Sequence, residues 1–138
     1  MSLENISFFA SGNVNVQSFL SIVSGQPYYV TQATGSTPIV GIAQEGPVNA
    51  PGTPAQTNLY AATQGLELRV YGPGETALLI CGGTINAGDY LTATTNGFGL
   101  TVPLTATGQS FVGAQALENG VSGVSIPVRV LTYTAGNV

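Results

Sequence analysis

The sequence predicts an all-β chain: a compact β-barrel or β-sandwich of short antiparallel strands with an extended N-terminal arm. Three observations carry this. Apolar residues nowhere recur at helical spacing over three capped turns; residues 55 to 64 offer a single turn at most. Short runs rich in Val, Ile, Thr, Tyr and Phe alternate with clusters of Gly, Pro, Asn and Asp. Asn96-Gly97 tolerates left-handed geometry at both residues, so it joins Tyr90–Ala93 to Phe98–Val102 as a hairpin.

The elements follow in order. Residues 1–17 read as an arm, and residues 18–138 as a single β domain. Leu3, Ile6, Phe8 and Phe9 would be sticky in water, so the arm either pairs onto its own sheet or lies on a partner. Phe19–Val23 is a strand ended by Ser24-Gly25. Tyr28–Thr31 follows, with Pro27 at its start, where a missing N–H is tolerated. Ile39–Ala43 contains Gly41, the mark of a bulge or a close backbone approach.

Residues 45–58 form the longest connection, and Pro47, Pro51 and Pro54 exclude regular structure there. Such a loop is either a docking element or a plain surface excursion. Leu66–Tyr71 alternates, with Leu66, Leu68 and Val70 inward and Arg69 outward. Ala77–Cys81 is a continuous apolar run, suited to burial. Ala87-Gly88-Asp89 is a turn in which Asp89 bonds its own backbone. Phe111–Leu117 carries an internal Gly113. Val124–Leu131 places Val124, Ile126, Val128 and Val130 inward, with Pro127 arguing for an edge or a bulge.

The two halves echo each other. Tyr28–Thr34 parallels Tyr90–Thr94, Ile39–Glu45 parallels Phe111–Glu118, and Leu68–Tyr71 parallels Val128–Leu131, which aligns Arg69 with Arg129. Two duplicated β halves would explain this. Each Arg would then sit on an outer strand face, able to bind a carboxylate or carbonyls across an interface.

Composition narrows the function. Of 138 residues, 43% are hydrophobic and only 6% charged, with His absent and a net charge of −4. Typical soluble domains carry about 25% charged residues. So few basic groups oppose a nucleic-acid partner, because phosphate binding needs several Lys or Arg. A charge-poor surface fits a neutral secreted β protein. It fits better a subunit whose faces are covered by neighbours, since unpaired charge is costly to bury.

No apolar run approaches the ~18 residues of a membrane span. The single Cys81 has no intrachain disulfide partner and reads as a small buried hydrophobe.

Catalysis finds no foothold in the sequence. Without His or Lys, the common general bases and Schiff-base residues are missing. Glu4, Glu45, Glu67, Glu75, Asp89 and Glu118 sit beside turns or on outward strand positions, where solvated carboxylates belong. No motif calls for a cofactor or a metal. The expectation is a non-enzymatic protein.

From Ile6 to Leu131 the order of motifs resembles the capsid decoration (cement, or head-stabilising) proteins of tailed bacteriophages. The motifs are Phe8-Phe9, Pro38–Glu45, Leu68–Gly72, Gly83–Thr92 with Asn96-Gly97, Val112–Glu118 and Ile126–Val130. The resemblance implies an all-β virion subunit, commonly a homotrimer, on the outer capsid surface, bridging major capsid proteins. Leu3, Ile6, Phe8, Phe9, Val48, Pro51, Pro54, Arg69 and Arg129 are the interface candidates. A tail, baseplate or fibre β module that binds a receptor or glycan shares the same composition and turns.

Overall fold

The computed structural model describes residues 8–34, 37–43, 60–62, 67–68, 70–102 and 110–135, with backbone alone at 60–62, 67–68, 110 and 133–135. All regular structure among them is β. The first half contributes β1 (Phe8–Ala10), β2 (Val14–Asn15), β3 (Ser18–Ile22), β4 (Tyr29–Gln32), β5 (Gly41–Ala43), β6 (Tyr60–Ala62), β7 (Glu67–Leu68) and β8 (Val70–Tyr71). The second contributes β9 (Thr76–Ile80), β10 (Tyr90–Ala93), β11 (Gly99–Thr101), β12 (Ser110–Ala116) and β13 (Ser125–Ala135).

The first half forms a six-stranded sheet in the order β7-β1-β4-β3-β5-β8, with β2 and β6 paired apart from it. Strands β7 and β8 stand at opposite edges yet are separated in sequence by residue 69 alone. The sheet therefore curls until its edges meet along 67–71, which removes the unpaired rows an open sheet would expose. Phe8, Ala10, Val14, Leu20, Val30, Ala43 and Val70 fill this small barrel.

The second half forms a sheet in the order β11-β10-β12-β13-β9. Its edges meet as well. Cys81, just past β9, makes a parallel bridge to Gly99, and the Gly82 N–H donates to the Gly99 carbonyl at 2.7 Å.

The two barrels have the same connectivity. In each, the first strand runs parallel to the third, the second and third form a hairpin, and the fourth and fifth pair antiparallel. The minor bridge Val14–Ala62 matches Ile85–Gly120. Register makes the match residue by residue. The pairs Leu20–Gln32 and Ile22–Val30 correspond to Leu91–Thr101 and Ala93–Gly99. Phe19–Ile42 corresponds to Tyr90–Gln115, and Ala43–Val70 to Ala116–Val128.

Two chain segments therefore superpose in sequence: Val14-Asn15-Val16-Gln17-Ser18-Phe19-Leu20-Ser21 and Ile85-Asn86-Ala87-Gly88-Asp89-Tyr90-Leu91-Thr92. Gln17 (φ 50°) and Gly88 (φ 91°) share the left-handed turn between them.

This corrects the alignment expected from the sequence. Tyr90 matches Phe19, not Tyr28. The late strands do correspond, but Tyr71 aligns with Arg129, and residue 69 with Pro127. The matching arginines are a coincidence of two strands slipped by two residues.

Pro127 needs another account too, because β13 lies between β12 and β9 and is no edge. Its ring nitrogen faces β12 just beyond that strand's end, where only the Leu117 N–H reaches back to the Pro127 carbonyl (3.1 Å). The bulge lies elsewhere: Leu131 and Thr132 together oppose Gly113, and Thr132 takes φ 36°. Val124, expected inward, is exposed.

The barrels pack side by side. Phe19, Ile39 and Ile42, on the outside of the first barrel, join the core that fills the second, and Tyr71 packs against it. Gly113 is required at this contact: a Cβ there would fall on the Phe19 ring. Gly41 likewise lets β5 approach the Tyr71 carbonyl. Both glycines serve a close approach, and Gly113 also lies at the bulge, the two roles expected of a strand glycine.

Candidate interaction surfaces

The seam between the barrels shows how one barrel of this kind receives another. Asn15 and Gln32 build its floor. Gln32 donates from Nε2 to Ser18 Oγ (2.7 Å) and to the Phe19 carbonyl (2.9 Å), and its Oε1 accepts from the Asn15 N–H (2.8 Å). The tip of the β10–β11 hairpin sits on this floor. Phe19 N–H donates to the Gly97 carbonyl at 2.7 Å, and Asn15 Nδ2 donates to the Asn96 carbonyl at 3.1 Å. A Cβ on Gly97 would fall on Gln32. Alongside, the Ile80 N–H donates to the Gln17 carbonyl (2.9 Å), and Ser125 Oγ bonds Gln17 Oε1.

Two of the surfaces exposed on the described residues carry tyrosines. One is the outer face of the second barrel. Across β10, β12, β13 and β9 run Tyr90, Gln115, Arg129 and Thr76, and beside them Leu117, Pro127 and Leu78. Tyr90 is 46% exposed, and Leu78 and Leu117 are similarly open. Arg129 is exposed, and among the described residues it has no carboxylate partner.

The other surface is the β3–β4 hairpin. Tyr28 is 59% exposed and holds φ 64°, uncommon for a bulky side chain. Its ring meets Phe8 edge-on (6.4 Å between centroids), and Phe9 lies against Tyr29 (5.8 Å). Exposed Ile22 lines two shallow hollows of about 390 and 310 Å³. The larger is lined by Pro38, Ile39, Val40, Pro73 and Thr132, the smaller by Val23 to Pro27.

Of the sequence candidates, Phe8 is a barrel residue, buried at 5% exposure, and Phe9 is half-buried beside Tyr29. Phe8–Ala10, within the segment read as an arm, pairs with β4 and β7 of its own chain. Arg129 lies on the outer sheet face. Leu3, Ile6, Val48, Pro51, Pro54 and Arg69 lie outside the described residues. Tyr28, Tyr29, Tyr90, Leu78 and Leu117 were missed. Leu78 falls in the apolar run Ala77–Cys81 that suited burial, and only the correct repeat register would have flagged Tyr90.

Asp89 has a turn geometry, its Oδ2 accepting from the Asn86 N–H (2.9 Å) and from Thr101 Oγ (3.0 Å). Burial pushes the Cys81 thiol pKa up. Among the described residues no group of His, Cys, Asp and Glu is placed to hold a metal. No helix is long and apolar enough to cross a membrane.

No family model and no curated protein matches the chain. A solved structure does: the head fiber gp8.5 N base in bacteriophage phi29. It aligns with a TM-score of 0.59 over 91% of this chain and 91% of that one. The two share a fold. Their sequences are 18% identical, so the likeness is one of chain path.

Proposed function

We propose that the chain is a structural protein of a tailed-phage virion, seated on the outside of the capsid. There it stabilises the head by bridging major capsid proteins, and it acts as a homotrimer. The observation that carries this is the fold shared with a phage head-fibre base across nine-tenths of both chains. Composition supports it. A 6% charged chain with exposed Tyr28, Tyr90, Leu78 and Leu117 suits burial against other protein. A shell under internal DNA pressure needs lateral ties. Linked subunits, each burying on the order of 1,600 Å², gain large avidity. Leu3, Ile6, Val48, Pro51, Pro54, Arg69 and Arg129 are the proposed contacts, and no catalytic step or cofactor is invoked.

The same neighbour favours a second reading, in which the chain is the seat of a projecting fibre. Purified protein added to heads that lack it, followed by sedimentation and cryo-imaging, tests both. The first reading expects density lying flat across the joints between capsid proteins. The second expects the same seat at the foot of a projecting fibre on native particles. Failure to sediment with heads, or density on the tail alone, rejects both.

A further inference from the structure

From the internal repeat we infer that copies of this chain associate head to tail, the first barrel of one copy covering the outer face of the second barrel of the next. The contact would repeat the seam already present within the chain. The inference rests on the proposed self-association and identifies the surfaces that make it.

Phe19 and Ile42 lie on the outside of the first barrel and are fully buried because the second barrel sits on them. Their counterparts on the outside of the second barrel are Tyr90 and Gln115, followed in the row by Arg129, the counterpart of Tyr71. This is the same surface of the same barrel, flanked by Asn86 where the first barrel has Asn15. There Tyr90, the large aromatic ring at its centre, is 46% exposed where Phe19 is wholly buried.

The complementary surface is open too. The seam is gripped by the β10–β11 hairpin tip, Asn96-Gly97-Phe98. By register its counterpart is Pro27-Tyr28-Tyr29 at the β3–β4 tip. Val23 N–H donates to the Tyr29 carbonyl, as Thr94 N–H does to Phe98. Tyr28 (φ 64°) holds the left-handed conformation of Gly97 (φ 81°). Gly97 is buried in the seam, whereas Tyr28 is among the most exposed large side chains described. A bulky residue kept at a glycine-like φ costs stability and persists where the site uses it.

The hairpin tip carries two aromatic rings and no charge. The second-barrel face carries Tyr90, Leu78 and Leu117, with Arg129 as the one charge among the residues named. Both are poor in charge, as the centre of a lasting protein interface is. They differ from each other, so the contact is heterologous. Such contacts form rings when the rotation closes, and a homotrimer is the ring that the proposed function names.

Light scattering on the full-length chain tests this with two variants, each carrying a charge on one surface. Tyr90→Glu blocks the second-barrel face. Tyr28→Asp blocks the hairpin, and Asp accepts a left-handed φ. Wild type is expected to form a closed oligomer of the 14.0 kDa chain. Each variant alone is expected to be monomeric, with self-association weakened about 30-fold or more, as at interface hot spots.

An equimolar mixture is expected to give dimers, because each pair retains one intact contact. Gln115→Glu serves as a second block of the same face if Tyr90→Glu melts early by circular dichroism. A monomeric wild type, an oligomeric single variant, or a mixture that stays monomeric overturns the inference. Head binding is scored separately. A monomer that still decorates heads ends the head-to-tail contact but keeps the virion role, and an oligomer that ignores heads does the reverse.

Discussion

Phe19 and Tyr90 occupy one position in two copies of one barrel, yet Phe19 is wholly buried and Tyr90 is 46% exposed. The difference lies outside the barrel: a second barrel sits on Phe19. The pair separates what the β-barrel itself requires from what its neighbour supplies.

Truncating the two should therefore have unequal effects on the isolated chain. Phe19→Ala is expected to cost about 3–5 kcal/mol, the range for a large buried aromatic. Tyr90→Ala is expected to cost under about 1 kcal/mol, as at exposed sites. Urea denaturation of both variants in the monomeric Tyr28→Asp background reads the difference. Equal losses would contradict the assignment of the seam.

Tyr28→Gly should separate stability from assembly. Glycine adopts φ 64° freely, which offsets the lost edge-on contact with Phe8, so the isolated chain is expected to stay within about 1 kcal/mol of wild type. The aromatic surface is lost at the same time, so self-association should weaken. Melting at low concentration checks the first effect and light scattering the second.

Gly41→Ala is expected to destabilise by about 1–3 kcal/mol, because the added methyl meets the Tyr71 backbone carbonyl, which cannot step aside. Gly12 has open space around it, so Gly12→Ala should be neutral or stabilising by up to about 1 kcal/mol. Thermal melts of the two variants make the comparison.

Cys81 should resist thiol reagents in the native protein and react only on unfolding. It is buried at the joint between β9 and β11, and desolvation raises its pKa. A raised folded pKa means that the neutral thiol is favoured by folding. That contribution is fully present below the ordinary thiol value of about 8.5 and is lost as pH rises through the folded pKa. Stability of wild type should therefore fall more steeply than that of Cys81→Ala in alkali. Parallel profiles would contradict this.

Local chemistry decided much in advance. Turn residues and short β-branched runs specified an all-β chain, because backbone geometry at Gly88, Asp89 and Asn96-Gly97 depends on a few neighbouring atoms. Strand glycines announced close approaches, though not that Phe19 would be what approaches Gly113. Duplication was audible in the sequence, but its register was not. Alternating apolar residues look alike when slipped by two, so Arg69 was set against Arg129, and Tyr28 was set against Tyr90 although the counterpart of Tyr90 lies one strand earlier, at Phe19.

Hydrogen-bond pairing over long separations removed that degeneracy; the second sheet closes through Cys81–Gly99, and the first because its edge strands β7 and β8 are neighbours in the chain. Only then did identical aromatic positions divide into core and surface. Exposure belongs to the arrangement of whole barrels, and no residue's own chemistry encodes what will lie on top of it.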